Sequence, residues 1–161
     1  MSQKQLAAWL KGVLVCAALI GLFIYAYVLP IAIGKQYFLE NYPEYSGAYV
    51  PMVVFISLSA VPCFLALYRA FAIAVQIGRD NSFSEINAKH MRRISLYALI
   101  DSIYFFAGNA VFAVLNIYSA GFILPALFIV LAGIMISIAA ACLAHLIAKA
   151  AAMRKENDSI I

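Results

Sequence analysis

The chain has 161 residues, enough for one domain, but 66% of them are hydrophobic and only 11% are charged. That balance excludes an ordinary soluble protein and makes the bilayer its solvent. Eleven Lys and Arg against seven Asp and Glu give +4, yet the basic residues sit at the ends of apolar runs, so no direct contact with nucleic acid is expected.

The first apolar run, 12–33, continues for 22 residues without a charge and is followed by no A-x-A site. It is too long for the core of a cleaved signal and reads as a retained span. Because about 20 apolar residues cross the hydrocarbon core, four spans follow, at 6–33, 49–78, 93–118 and 122–148. The last two need a turn between them, since 102–148 holds 47 residues without a formal charge. "NIYSAG" at 116–121 supplies it, and Pro125 fits the first turn of the next helix, where its missing N–H costs nothing. The expected fold is all-α: one integral membrane four-helix bundle over 1–161, with a short tail at 149–161.

Between the first two spans, "GKQYFLENYPEYSG" carries Tyr37, Phe38, Tyr42 and Tyr45, with Tyr49 just beyond. These read as an interfacial aromatic belt, with an external ligand platform as the rival. Between the second and third spans lies "RDNSFSEINAKHMRRI". Ser82 followed by Glu85 is a capping-box pattern, which predicts a helix start near Phe83. Phe83, Ile86, Ala88, Met91 and Ile94 approximate an apolar face, while Lys89, Arg92 and Arg93 can meet headgroups. A membrane-hugging extension of the third span is one reading of this loop; a docking surface is the other.

Lys4, Lys11, Arg79, Lys89, Arg92, Arg93, Lys149, Arg154 and Lys155 all fall on one side of the four spans, and Lys35 alone on the other. The positive-inside rule therefore puts both termini of this multi-pass membrane protein in the cytoplasm.

Ionisable groups within spans are rare because each costs roughly 2.5 to 3.5 kcal/mol at the helix centre. The candidates are Arg69, Asp101 and His145. At 1.5 Å per residue, Arg69 lies about 14 Å from Gly78, Asp101 about 12 Å from Arg93 and His145 about 5 Å from Ala148. Equal depths suggest that Arg69 and Asp101 meet in a two-pronged ion pair. Gln76 on the face of Arg69, and Tyr97 and Tyr104 beside Asp101, would add hydrogen bonds. The pair reads as a structural staple, with a proton or ion path as the alternative.

His145 lies on a stripe of Gly133, Ser137, Ala141 and Lys149, beside a second row of Ala140, Ala144, Ala148 and Ala152. Small residues at this spacing let another helix approach, either within the chain or from a second copy in a homo-oligomer. Cys16, Cys63 and Cys142 lie in apolar stretches without C-x-x-C and read as small core residues. No metal site or cofactor is expected. Nor is there a G-x-S-x-G, a phosphate loop or an H-E-x-x-H, so no enzymatic activity is expected.

The segment "ALYRAFAIAVQIGRDNSFSEINAKHMRRI", 66–94, and the closing "RKENDSII" resemble a bacterial membrane family, domain of unknown function 2975. The matching positions are Ala66, Leu67, Tyr68, Ala70 and Phe71, the Phe83–Ser84 pair, and Glu156, Asn157 and Asp158. The resemblance implies four helices, no assigned enzymatic activity and, commonly, a neighbouring gene for a small helix-turn-helix regulator. It also implies an uncharged residue such as glutamine where Arg69 stands and an aliphatic one where Asp101 stands, so the two charges read as private to this chain.

The leading expectation is a membrane protein that binds or regulates such a regulator through Phe83, Ser84, Glu85, Lys89, Arg92, Arg93 and the tail residues Glu156, Asn157 and Asp158. Rivals are a small ion- or proton-linked transporter or sensor using Arg69 and Asp101, and a self-protection protein against a membrane-active peptide. The topology is directly testable: in a cysteine-free background, a cysteine at Ser46 should react with an impermeant reagent in intact cells, and one at Ser159 only after lysis. Equal labelling would overturn the termini-inside arrangement.

Overall fold

A computed structural model describes residues 2–116 and 123–158, and every regular element among them is helical. Helix α1 (Gln3–Phe23) opens on a capping box: the Ser2 hydroxyl accepts from the Gln5 N–H, and the Gln5 side chain accepts from the Ser2 N–H. The chain then winds as a π-helix over Ile24–Phe38, followed by the single turn α2 (Leu39–Asn41) and a 3-10 segment, Pro43–Ala48. Three long helices complete it: α3 (Tyr49–Gly78), α4 (Glu85–Val114) and α5 (Ile123–Asp158). Four stretches, Gln3–Ala32, Ser46–Gly78, Glu85–Val114 and Ile123–Asn157, are long and apolar enough to span a bilayer.

The α-helix of the first span gives way seven residues before Pro30. In an α-helix the proline ring would strike the carbonyl of Ala26 and leave a carbonyl without its donor. Wider π winding relieves that crowding, and the Tyr49 hydroxyl donates to the Pro30 carbonyl at 2.9 Å, latching the segment to α3. The side chains of Tyr37, Phe38 and Tyr45 from the aromatic belt lie outside the described residues.

The helices pack in chain order: α1 on α3, α3 on α4, α4 on α5. Large apolar side chains point outward, Trp9 at 71% and Phe128 at 70% exposed, while the buried set is mostly alanine and serine. Lipid tails are as apolar as leucine, so spans gain from close approach of small residues and from hydrogen bonds. At the α4/α5 seam a Cβ on Gly133 would collide with the Ser102 hydroxyl. Ser137 donates to the Ser95 carbonyl at 2.9 Å, and Ser102 donates to the Ala98 carbonyl at 2.8 Å. Ala126, Ala140, Ala144 and Ala151 are buried along the same face. At the α3/α4 seam the Phe55 ring occupies the notch left by Gly108. Tyr104, Phe105 and Phe112 surround it, with ring centroids at 4.8, 5.3 and 5.2 Å.

The α3–α4 turn is short and internally bonded. Asp80, at φ 61°, closes a Schellman motif in which its N–H donates to the Ile77 carbonyl and the Asn81 N–H to the Gln76 carbonyl. Asn87 is fully buried, and its amide donates to the carbonyls of Asn81 at 3.1 Å and Ser82 at 2.9 Å. Those bonds hold 81–82 out of the helix, so the cap falls on Ser84, which accepts from the Asn87 N–H, and not on Ser82. Ser82 instead donates to the Gln3 side chain at 3.1 Å, tying the amino end to this turn.

The second span matches its predicted bounds. Helix α4 begins at Glu85, two residues past the start expected near Phe83, and continues as a single helix into the span expected from Arg93. It ends at Val114, after which Asn116 takes the left-handed conformation at φ 52°; the rest of the predicted "NIYSAG" turn lies outside the described residues. Helix α5 runs ten residues past the predicted Ala148, so most of the supposed tail is helical.

The Phe55 notch gives a direct check on the packing. Gly108→Val should displace the ring and cost about 1 to 3 kcal/mol, read as a lower thermal midpoint in detergent, whereas Gly12→Val, with open space around it, should leave the midpoint nearly unchanged.

Candidate functional site

The contacts between α3 and α4 fix their register. Cys63 faces Asp101 and Phe55 faces Gly108, which sets Arg69 level with about Ser95 and leaves it about 9 Å along the axis from Asp101. Gly78 is consequently level with the beginning of α4 and not with Arg93. The expected ion pair does not form: Arg69 Nε and Asp101 Oδ1 are each buried without a hydrogen-bond partner. Gly78 and Arg93, from which the two depths run, are not at one level.

Arg69 sits within a turn of the level of Arg93, toward the basic end of the spans. Its guanidinium lies 5.6 Å from the Tyr68 ring and close enough to His90 for their charges to interact. Asp101 stands about 12 Å past Arg93, near the middle of a hydrocarbon core about 30 Å thick.

Asp101 heads a chain of polar groups that crosses three helical segments. The Cys63 thiol donates to Asp101 Oδ2 at 3.7 Å; the Tyr25 hydroxyl donates to Cys63 Sγ at 3.8 Å and lies 3.2 Å from the Ser59 hydroxyl. Ser59 donates in turn to the Ile56 carbonyl at 2.7 Å. Pro62 lies inside α3 at this level, where it cannot supply a donor to the Leu58 carbonyl. Tyr25 is the second residue of the π segment, so this irregular stretch reaches the carboxyl group through Cys63. Beside it is a cavity of about 370 Å³ lined by Pro62, Cys63 and Leu67 of α3, Tyr97 and Asp101 of α4, and Gly133 of α5.

The other polar neighbours of the expected pair are dispersed. Tyr97 shares the cavity with Asp101. Tyr104 donates to the Phe55 carbonyl at 2.9 Å, Gln76 accepts from Asn81 at 3.3 Å, and His145 is exposed on α5. Cys63 is more than the small core residue its sequence context suggests, because its neighbours make it the link between Tyr25 and Asp101. Among the described residues, no three His, Cys, Asp or Glu side chains gather as a metal would require.

A second group of sequence candidates lies at the amino end of α4. Ser84 is occupied as the helix cap, but Phe83 is 58% exposed, and Glu85, Lys89, Arg92 and Arg93 are exposed. Lys89 and Arg92 line a groove of about 480 Å³ with Glu85, Ala88 and, across on α5, Ala141, Ala144, His145 and Ala148. Past it, 152–157 continues as an exposed helix that includes Glu156 and Asn157.

The family model described as "Protein of unknown function (DUF2975)" matches residues 35–161. A relative, "Uncharacterized membrane protein YoaS" of Bacillus subtilis (strain 168), is 34% identical over 127 residues, covering 76% of this chain and 78% of that protein. No solved structure matches.

The register carries a prediction for a double-mutant cycle. Because Arg69 and Asp101 do not touch, the stability changes of Arg69→Leu and Asp101→Leu should add to within about 0.5 kcal/mol. Asp101→Leu alone should leave thermal stability equal or higher, since it removes a half-satisfied carboxyl from an apolar seam. Rescue of one single variant by the other would restore the ion pair.

Proposed function

The chain belongs to the DUF2975 family, and from that premise we propose that it holds a small cytoplasmic helix-turn-helix regulator at the membrane, on the exposed end of α5 and the neighbouring base of α4. The observation that carries this reading is the length of α5. Its 36 residues extend about 54 Å, well beyond a core of about 30 Å. The contact of Ser95 with Ser137 and the groove shared by Glu85 and Ala148 place the foot of α4 near Ile147. Beyond Ala151, α5 presents exposed Arg154, Lys155, Glu156 and Asn157, and Phe83 offers an apolar anchor at the base of α4. Neither the family description nor that of the relative names an enzymatic activity, and a docking role requires none.

A second reading is favoured by the polar chain at Asp101. A carboxyl near the membrane midplane, beside a cavity and linked to a thiol and a phenol, suits a proton- or ion-linked carrier or sensor. It would use Asp101 without Arg69. In proteoliposomes, Asp101→Asn should then abolish flux driven by an ion gradient, and unchanged flux would remove this alternative.

The docking reading is tested by deleting 152–161. The truncated protein should insert normally and keep its thermal midpoint, yet lose co-purification with a co-expressed small helix-turn-helix regulator; Phe83→Ser should weaken that association. A regulator that fails to associate with the full-length protein in membranes would overturn the reading.

A further inference from the structure

The groove at the foot of α4 and α5 has a composition unlike the rest of the surface. Lys89 and Arg92 stand one turn apart on α4 and line it from one side, and His145 of α5 lines it from the other. Ala141 and Ala148 give it a low apolar wall, and Glu85 stands at its outer end. Neither Lys89 nor Arg92 has a carboxylate partner among the described residues, and both are exposed. Their level is set by the first apolar turn of α4 at Ile94, so they lie where the phosphates of the adjoining leaflet lie.

We propose that this groove binds an anionic phospholipid whose headgroup carries hydroxyls, phosphatidylglycerol being the simplest such lipid. Lys89 and Arg92 hold the phosphodiester by charge-assisted hydrogen bonds, and His145 supplies a further ring donor. The Glu85 carboxylate, repelled by phosphate, accepts instead from the glycerol hydroxyls one turn further out. The alanine wall leaves room for the upper part of an acyl chain to lie against α5 before it joins the bilayer. Charge complementarity selects this occupant over a neutral helix of a second copy, because burying two unpaired cations under an apolar face would be unfavourable. The inference is independent of the regulator: Lys89 and Arg92 take lipid, while docking is left to Phe83 and the end of α5.

The test uses the full-length protein in a neutral detergent, titrated with phosphatidylglycerol, phosphatidylcholine or inorganic phosphate, with thermal unfolding and retained lipid by native mass spectrometry as readouts. Phosphatidylglycerol should raise the midpoint and stay bound, and phosphatidylcholine should do neither. The Lys89→Gln/Arg92→Gln variant should bind phosphatidylglycerol roughly 30-fold more weakly, from about fivefold for each basic residue lost. Arg154→Gln/Lys155→Gln on the exposed helix end should bind as the parent does. Ala141→Trp, which fills the groove and keeps every charge, should also lose binding, so a folding defect in the charge variant does not shield the proposal. Equal phosphatidylglycerol binding by the charge variant or by Ala141→Trp would overturn the site. Stabilisation by inorganic phosphate matching that of the lipid would overturn the lipid as its occupant.

Discussion

Everything in this molecule depends on how closely α4 and α5 approach. Inside a bilayer two helices gain nothing by hiding leucine from water, so association rests on packing and on hydrogen bonds between small polar side chains. Gly133 admits the Ser102 hydroxyl, and Ser95 and Ser137 bond across the seam. That contact fixes the register of α5 against α4. The register in turn decides which residues share the cavity at Asp101, which share the groove at Lys89, and how far α5 extends past its neighbours.

The polar residues divide by depth. At the foot of the spans they are bonded to one another or to turns: Asn87 to the carbonyls of 81 and 82, Gln76 to Asn81, Ser82 to Gln3. Satisfaction is incomplete at both levels: Asn87 Oδ1 and Arg69 Nε toward the foot, and one oxygen of Asp101 near the middle, are buried without a partner. Leucine there would remove that burden, so stability does not explain why a carboxyl occupies the position. Arg69, which looks equally out of place in the sequence, lies about 9 Å nearer the foot of the spans, beside Tyr68 and His90, with its Nε buried and without a partner.

What could be read from the sequence follows from how local each signal is. Span number and the bounds of α3 rest on runs of apolar residues, and those survive folding unchanged. The start of α4 was legible to within two residues from the serine and glutamate pattern, with Ser84 in place of Ser82 as the cap. The pairing of Arg69 with Asp101 was not, because it requires Gly78 to be level with Arg93, whereas Gly78 lies beside the beginning of α4. The small-residue stripe on α5 was legible in kind and shifted in phase: Gly133, Ser137, Ala140 and Ala144 face α4, while Ala141 and His145 turn to the groove. Cys63 and Tyr25 could not be found from sequence, because only the fold shows that they touch.

The neighbour-to-neighbour order of the helices has a biosynthetic consequence. Each long helix packs chiefly on one that precedes or follows it in the chain: α3 receives α1, α4 receives α3, and α5 receives α4. A nascent chain leaving the ribosome thus never needs an early span to wait, unpaired in lipid, for one still to be synthesised. The seam with the most exacting fit, between α4 and α5, is also the last of these to close.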